Sequence, residues 1–307
     1  MRINEKDRGI YNALISQLDR LARHNRQGSF RTRDRYYEAM KRFCRFLAEE
    51  YRMQKLSNVS GKHLVAYVEY MQEHGKSAST IKTDLAAIRF FHEKMDAKYR
   101  LPGNDELSVE LERRRFGGVD RTWSAVEFNR MIGKAVEAGR DDFACALYLG
   151  RFAGLRIHEV MRIDTAIAEQ ALREDAITIK GKGGKIRTVP IEDERVRVVL
   201  ETMLKRTECG HKLFVPDGVP TDRAINGVQL FILKHRDDVA DDSREANLTF
   251  HGLRHTYAAV KHHILTENGT NPLDAHFTVS RLLGHERADV TNIYLASVKK
   301  KEARDGE

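Results

Sequence analysis

The sequence predicts a mainly α-helical protein with a small antiparallel β-sheet, divided into two domains. Three observations carry that expectation. Apolar residues recur at three- and four-residue steps over much of the chain, the spacing that gathers them on one helix face. Alternating residues flank a glycine-rich tip, Ile177 and Ile179 before it and Arg187, Val189 and Ile191 after it, as a β-hairpin requires. The 307 residues suit about two domains of roughly 150 residues each. Charge divides the chain in the same way, with 24 Lys+Arg against 16 Asp+Glu up to Gly118 and 29 against 29 beyond it. A basic unit joined to a charge-balanced one suggests a polyanion-gripping module attached to a working domain.

In the first part, Tyr36, Met40, Phe43 and Leu47 form one helical stripe, and Leu64, Val68 and Met71 a second. Ile81, Leu85, Ile88 and Met95 form a third, with Ser77 or Ser79 as its N-cap. Lys76, Lys82 and Arg89 lie off the apolar faces and are candidates for phosphate contact. Between about residues 99 and 122 the periodicity dissolves into Leu-Pro-Gly-Asn-Asp, then Arg113, Arg114 and Arg115, then a Gly pair, which reads as a basic linker. The expected division is a basic helical domain over 1–112, a linker over 113–122 and a second domain over 123–307. Ser124 and Glu127 fit a capping box that opens the second domain. An apolar run from Phe143 to Phe152 stops at Gly154, a residue suited to the left-handed position after a helix. The hairpin follows with a lysine at its tip. Helices fill most of the remainder, with a polar loop near Asp237–Asn247.

Several function classes are excluded or disfavoured. No stretch approaches the roughly 18 apolar residues of a membrane span, and the N-terminus lacks a signal-peptide core, so a cytoplasmic protein is expected. Cys44, Cys145 and Cys209 are odd in number and far apart, which favours free thiols over a disulfide framework. Lys180-Gly-Lys-Gly-Gly-Lys185 is not a phosphate-binding loop, because a strand and not a helix follows it. His251 and His255 have zinc-helix spacing, but Arg254 stands between them and no acidic or cysteine ligand is evident, so no metal site is expected.

The chemistry lies in a set of segments taken together: Gly154-Leu-Arg156-Ile-His-Glu159, Lys182, His251-Gly-Leu-Arg254-His255, Leu283-Gly-His285 and Tyr294. Their order resembles the tyrosine recombinase family, which includes phage integrases and Xer-type and Cre-type recombinases. The resemblance covers about Arg121 to the end, and all six of the family's positions are filled: Arg156, Lys182, His251, Arg254, His285 and Tyr294. It implies a mixed α+β catalytic domain preceded by a helical, SAM-like core-binding domain, the two forming a C-shaped clamp on DNA. The first part is similar to that domain around residues 79–89. The few residues before its first stripe leave little room for an additional arm-site-binding domain.

The residue types suit the reaction. Breaking a phosphodiester with a protein nucleophile needs an attacking oxygen, stabilisation of the non-bridging oxygens and a proton for the leaving sugar oxygen. Tyr294 supplies the first. Arg156 and Arg254 supply the second, because a guanidinium fork keeps its charge and donates paired hydrogen bonds to phosphate. Lys182 at the hairpin tip is the expected general acid, with Lys180 and Lys185 as rivals. The resemblance makes His251 the helper in deprotonating Tyr294, His285 a transition-state donor and Glu159 a supporting residue, and leaves His158 without a role. It further implies double-stranded DNA with paired core sites as partner, a homotetramer in the synaptic complex from a free monomer, room for an accessory protein, and no cofactor. Type IB topoisomerases and telomere resolvases share this residue set. A non-catalytic DNA-binding regulator on the same scaffold is the alternative from another class.

Overall fold

The computed structural model describes residues 3–23, 25–112, 119–181, 184 and 186–284. The chain divides into two compact units, Met1–Arg115 and Phe116–Glu307, each with its own apolar core.

The first unit is helical: α1 (Arg8–Arg23), α2 (Phe30–Tyr51), α3 (Gly61–Glu73) and α4 (Ala78–His92). All three anticipated stripes face its core. Met40, Phe43, Leu47, Leu64, Val68, Met71, Ile81, Leu85 and Ile88 are buried, whereas Met95 lies just past the end of α4 and packs on the core only partly. Ser77 is the cap of α4, its hydroxyl accepting from the Thr80 N–H at 3.3 Å. The sequence reading passed over α1, although Leu14 and Leu18, one helical step apart, are fully buried. A polar lock joins the other three helices. Asp84, 1% exposed, accepts from Arg42 Nε at 3.1 Å and Nη2 at 2.7 Å, and from the Tyr67 hydroxyl at 3.0 Å.

The second unit opens at the expected capping box: Ser124 Oγ accepts from Glu127 N–H at 3.0 Å, and Glu127 Oε2 accepts from Ser124 N–H at 2.8 Å. Glu127 is buried because Arg244, from a distant loop, also pairs with it. The helices are α5 (Ala125–Glu137), α6 (Asp141–Phe152), the short α7 (Ile157–Val160) and α8 (Thr165–Glu174), followed by β1 (Ala176–Lys180) and β2 (Ile186–Pro190). Then come α9 (Glu194–Leu204), α10 (Thr221–Val239), α11 (Phe250–Glu267) and α12 (Pro272–Leu282). Helix α6 packs against α5, α9 and α11. Its Gly150 permits this closeness, since a Cβ there would come within 2.9 Å of the Phe250 ring.

The strands pair antiparallel, with Ala176 opposite Pro190 and Lys180 opposite Ile186. Ile177, Ile179 and Val189 are buried, as alternation predicts. Helix α10 runs through the expected start of the polar loop and ends at Val239, which is 1% exposed and anchors the last turn in the core. No helix among the described residues is long and apolar enough to cross a membrane.

Candidate active site

Gly154 turns the chain out of α6 with φ +60, a left-handed conformation. A Cβ on Gly154 would lie 2.4 Å from the Tyr257 ring, so the turn also sits hard against α11. Two residues later Arg156 occupies the N-cap of α7. Its backbone N–H donates to Glu159 Oε2 at 2.7 Å, and its Nη1 donates to Glu159 Oε1 at 2.9 Å. Glu159 is wholly buried. Burial alone would raise its pKa, but Arg187, donating from Nη2 to Oε2 at 2.7 Å, the Arg156 N–H and the nearby Arg254 bring it down to about 2. It is therefore a carboxylate at neutral pH, set among arginines.

Arg254 projects from the first turns of α11 and is fully buried. Its two terminal nitrogens donate to the carbonyls of Gly154 and Leu283. One guanidinium thus ties the turn before Arg156 to the end of α12. Arg187 donates to the neighbouring Leu282 carbonyl, so two cations meet the carbonyl end of α12, where helix geometry leaves acceptors without backbone partners. Gly284 continues from there with φ +62.

His251 lies in the first turn of α11, capped by Thr249, whose Oγ1 accepts from the Gly252 N–H at 3.2 Å. Gly252 lets the chain before α5 close on this turn: a Cβ there would come within 2.6 Å of the Arg121 carbonyl and 2.7 Å of Trp123 Nε1. The His251 ring stands edge-on to that of His255, with centroids 5.2 Å apart. The residue is exposed. Desolvation by the neighbouring protein, together with Arg254, Arg156 and Arg121, lowers its pKa to about 4. His251 is thus neutral at pH 7 and able to accept a proton. His158 is half-buried, and burial lowers its pKa too. A cavity of about 410 Å³ opens between Arg156, His158, His251 and Arg236.

The structure thus brings Arg156, Glu159, His251 and Arg254 into one neighbourhood. Lys182, His285 and Tyr294 lie outside the described residues, as do Arg113, Arg114 and Arg115. The base of the lysine hairpin is nevertheless held to this neighbourhood, because Arg162, just after α7, donates to the Lys180 carbonyl at 2.9 Å. Among the described residues no group of acidic, histidine and cysteine side chains is arranged to hold a metal.

In the first unit, Lys76 is exposed just before α4 and Lys82 lies half-buried on α4. Arg89 faces inward. Its Nε donates to the Pro102 carbonyl and its Nη1 to Asn104 Oδ1, both at 2.8 Å, so its guanidinium fastens the segment after α4. Sequence reasoning passed over Arg187 as a site residue. The signal was present: Arg187 occupies the same alternating phase as Val189, and a cation in the inward phase of a strand calls for a buried partner.

Comparison with known proteins agrees with this architecture. Residues 129–301 match the phage integrase family, and residues 15–98 match the phage integrase N-terminal SAM-like domain. Tyrosine recombinase XerD of Rhizobium meliloti (strain 1021) is 26% identical over 253 residues, covering 78% of this chain and 76% of the relative. Tyrosine recombinase XerC of Vibrio vulnificus (strain YJ016) is 31% identical over 229 residues, covering 72% of this chain and 66% of the relative. Among solved structures, the lambda integrase dimer bound to a COC' core site superimposes with a TM-score of 0.64 at 17% identity, covering 92% of this chain and 94% of that one. The Tn1549 transposon integrase in complex with transposon right end DNA gives 0.58 at 15% identity, covering 97% and 99%. The mainly helical fold, the two-stranded sheet and the family match across more than half of the sequence agree: the chain belongs to the phage integrase family of tyrosine recombinases.

Proposed function

We propose that the protein is a site-specific DNA recombinase that cleaves and rejoins duplex DNA through a 3′-phosphotyrosyl intermediate. The observation that carries this reading is that Arg156 and Arg254 lie by the buried Glu159 in the family-matching domain, with His251 in the field of both arginines. Tyr294 is the nucleophile. Its oxygen attacks the scissile phosphorus, and the bond to the 5′ oxygen of the leaving strand breaks. His251 receives the phenol proton. Arg156 donates to the non-bridging oxygens, with His285 as a further donor, the fully buried Arg254 adds its positive charge from behind the turn it holds, and Lys182 protonates the departing 5′ oxygen. A 5′ hydroxyl from a second duplex then attacks the phosphotyrosyl bond and displaces the tyrosine. The reaction conserves the number of phosphodiester bonds, so it needs no external energy source.

Two of the relatives' structures bear on assembly, being a lambda integrase tetramer bound to a Holliday junction and the dimer on a core site. Exchange between two duplexes requires four strands to be cut, and the same arrangement of four subunits on paired core sites is proposed here. The positively charged first unit supplies backbone contacts, with Lys76, Lys82 and the Arg113–Arg115 run as its candidate residues.

The test is covalent trapping. On a nicked suicide substrate built from repeats that flank the gene, the unaltered protein forms a denaturation-resistant DNA adduct. Tyr294→Phe retains DNA binding and forms none, because only the attacking oxygen is lost. An adduct that persists in Tyr294→Phe assigns the nucleophile to another residue.

A further inference from the structure

Arg187 reaches further than its place in a short strand suggests. Its side chain is 9% exposed and touches two elements besides its own. Nη2 donates to Glu159 Oε2 at 2.7 Å, and Nη1 donates to the Leu282 carbonyl in the last turn of α12. Its stem fills the place a side chain at 284 would need, since a Cβ on Gly284 would lie 2.7 Å from Arg187 Cδ. One side chain therefore joins the strand of the lysine hairpin, the carboxylate beneath Arg156 and the turn that leads to His285.

The division of Glu159's oxygens shows what this does. Oε1 accepts from Arg156 Nη1, while Oε2 accepts from the Arg156 backbone N–H and from Arg187 Nη2. A carboxylate and a guanidinium ordinarily favour two parallel hydrogen bonds. Here the second oxygen is already held by another cation, and Glu159 engages the Arg156 fork through Nη1 alone. We propose that Arg187 is a positioning residue of the phosphate clamp: by holding Glu159 Oε2 it keeps Glu159 from closing on the whole Arg156 fork, leaving that fork directed at DNA, and it fixes the turn before His285 in the same act.

The proposal rests on the recombinase reading above and gives Arg187 a place in that same reaction. Without Arg187, the buried carboxylate has lost one of its two guanidinium partners and draws Arg156 inward. A merely structural role, in which Arg187 glues β2 to α12, predicts something different: lower stability, with each further site substitution adding its own loss.

The full-length protein is tested in single-turnover cleavage of a suicide substrate, alongside DNA affinity and thermal melting. Arg187→Ala is expected to bind DNA with near-normal affinity and to cleave roughly 10²-fold more slowly, the size of loss that misplacement of a reacting group brings. Arg187→Lys, which keeps the charge on a single donor nitrogen in place of the two that Arg187 uses, is expected to fall between. The decisive variant adds Glu159→Gln. The amide so introduced has no charge with which to seize Arg156, so the double variant should be no slower than Arg187→Ala alone. Arg187→Lys with and without Glu159→Gln gives the same comparison if the alanine variant melts too low. Sulfur at the bridging 5′ position should not rescue Arg187→Ala, because sulfur relieves only the need for a leaving-group proton. Additive losses, rescue by sulfur, or a normal rate in a folded Arg187→Ala would each overturn the proposal while leaving the recombinase reading intact. No adduct from the unaltered protein on a site it binds would remove that reading and this proposal with it.

Discussion

Glu159 concentrates the residue-scale physics. Its carboxylate is completely buried, yet its pKa falls to about 2 because Arg187, Arg156 and Arg254 outweigh the cost of burial. A folded-state pKa below the ordinary 4.5 contributes stability that is present above the unfolded value and is lost as pH falls towards 2. Deleting one member of such a buried cluster leaves the other charges uncompensated. Glu159→Ala should therefore lower stability by about 3–5 kcal/mol, readable in urea unfolding at pH 7; a change within 0.5 kcal/mol would show that the arginines are satisfied without it. His251 titrates with the same sign. Its pKa is lowered from 6.5 to about 4, so the neutral ring is favoured by folding, and that contribution is complete above 6.5 and lost on acidification through 4. An NMR titration of the free protein should place the His251 ring near 4. A midpoint at 6.5 would deny the crowding and the arginine field around it.

At the scale of elements, two turns set where the chemistry sits. Gly154 and Gly284 both have positive φ, but their neighbours differ. A Cβ on Gly154 meets the Tyr257 ring at 2.4 Å, and a ring edge held in a packed interface yields little. A Cβ on Gly284 meets the stem of Arg187 at 2.7 Å, a chain with rotatable bonds. Gly154→Ala should cost about 3 kcal/mol from left-handed strain plus overpacking, and Gly284→Ala about half as much. Paired melting curves check the order. Gly284→Ala should nonetheless slow cleavage strongly, since it displaces the Arg187 side chain from Glu159; an unchanged rate would separate that turn from the site.

For the whole molecule, the uneven distribution of charge divides the labour. The net excess of basic residues lies before Val119, while the remainder of the chain balances. Because each unit has its own core, each should fold as a fragment. The first should bind duplex DNA with a steep dependence of affinity on salt through counterion release, and the second should bind more weakly with a shallower slope. Titrations at several salt concentrations measure both. Equal slopes would mean that the local arginine cluster of the second unit contributes as much as the overall charge of the first.

Features that depend on local order were legible in the chain of residues: helical stripes, the Ser77 cap, the Ser124–Glu127 box, the Gly154 turn and the strand pairing around Lys182. These follow from periodicity, from orphan N–H groups that need acceptors and from backbone sterics, all of which act within a few residues. The resemblance to tyrosine recombinases was legible in the same way, as residue types in a fixed order. Helix α1 was equally legible in Leu14 and Leu18 and was passed over. Which acceptors each cation meets was settled by the folded chain alone. Arg89 and Arg187 each follow an isoleucine in sequence, yet one fastens a loop through Pro102 and Asn104 while the other joins Glu159 to the end of α12. The reason is physical: a long flexible cation takes its role from whichever acceptors are desolvated with it, and those acceptors lie 13 and 15 residues away for Arg89 but 28 and 95 for Arg187.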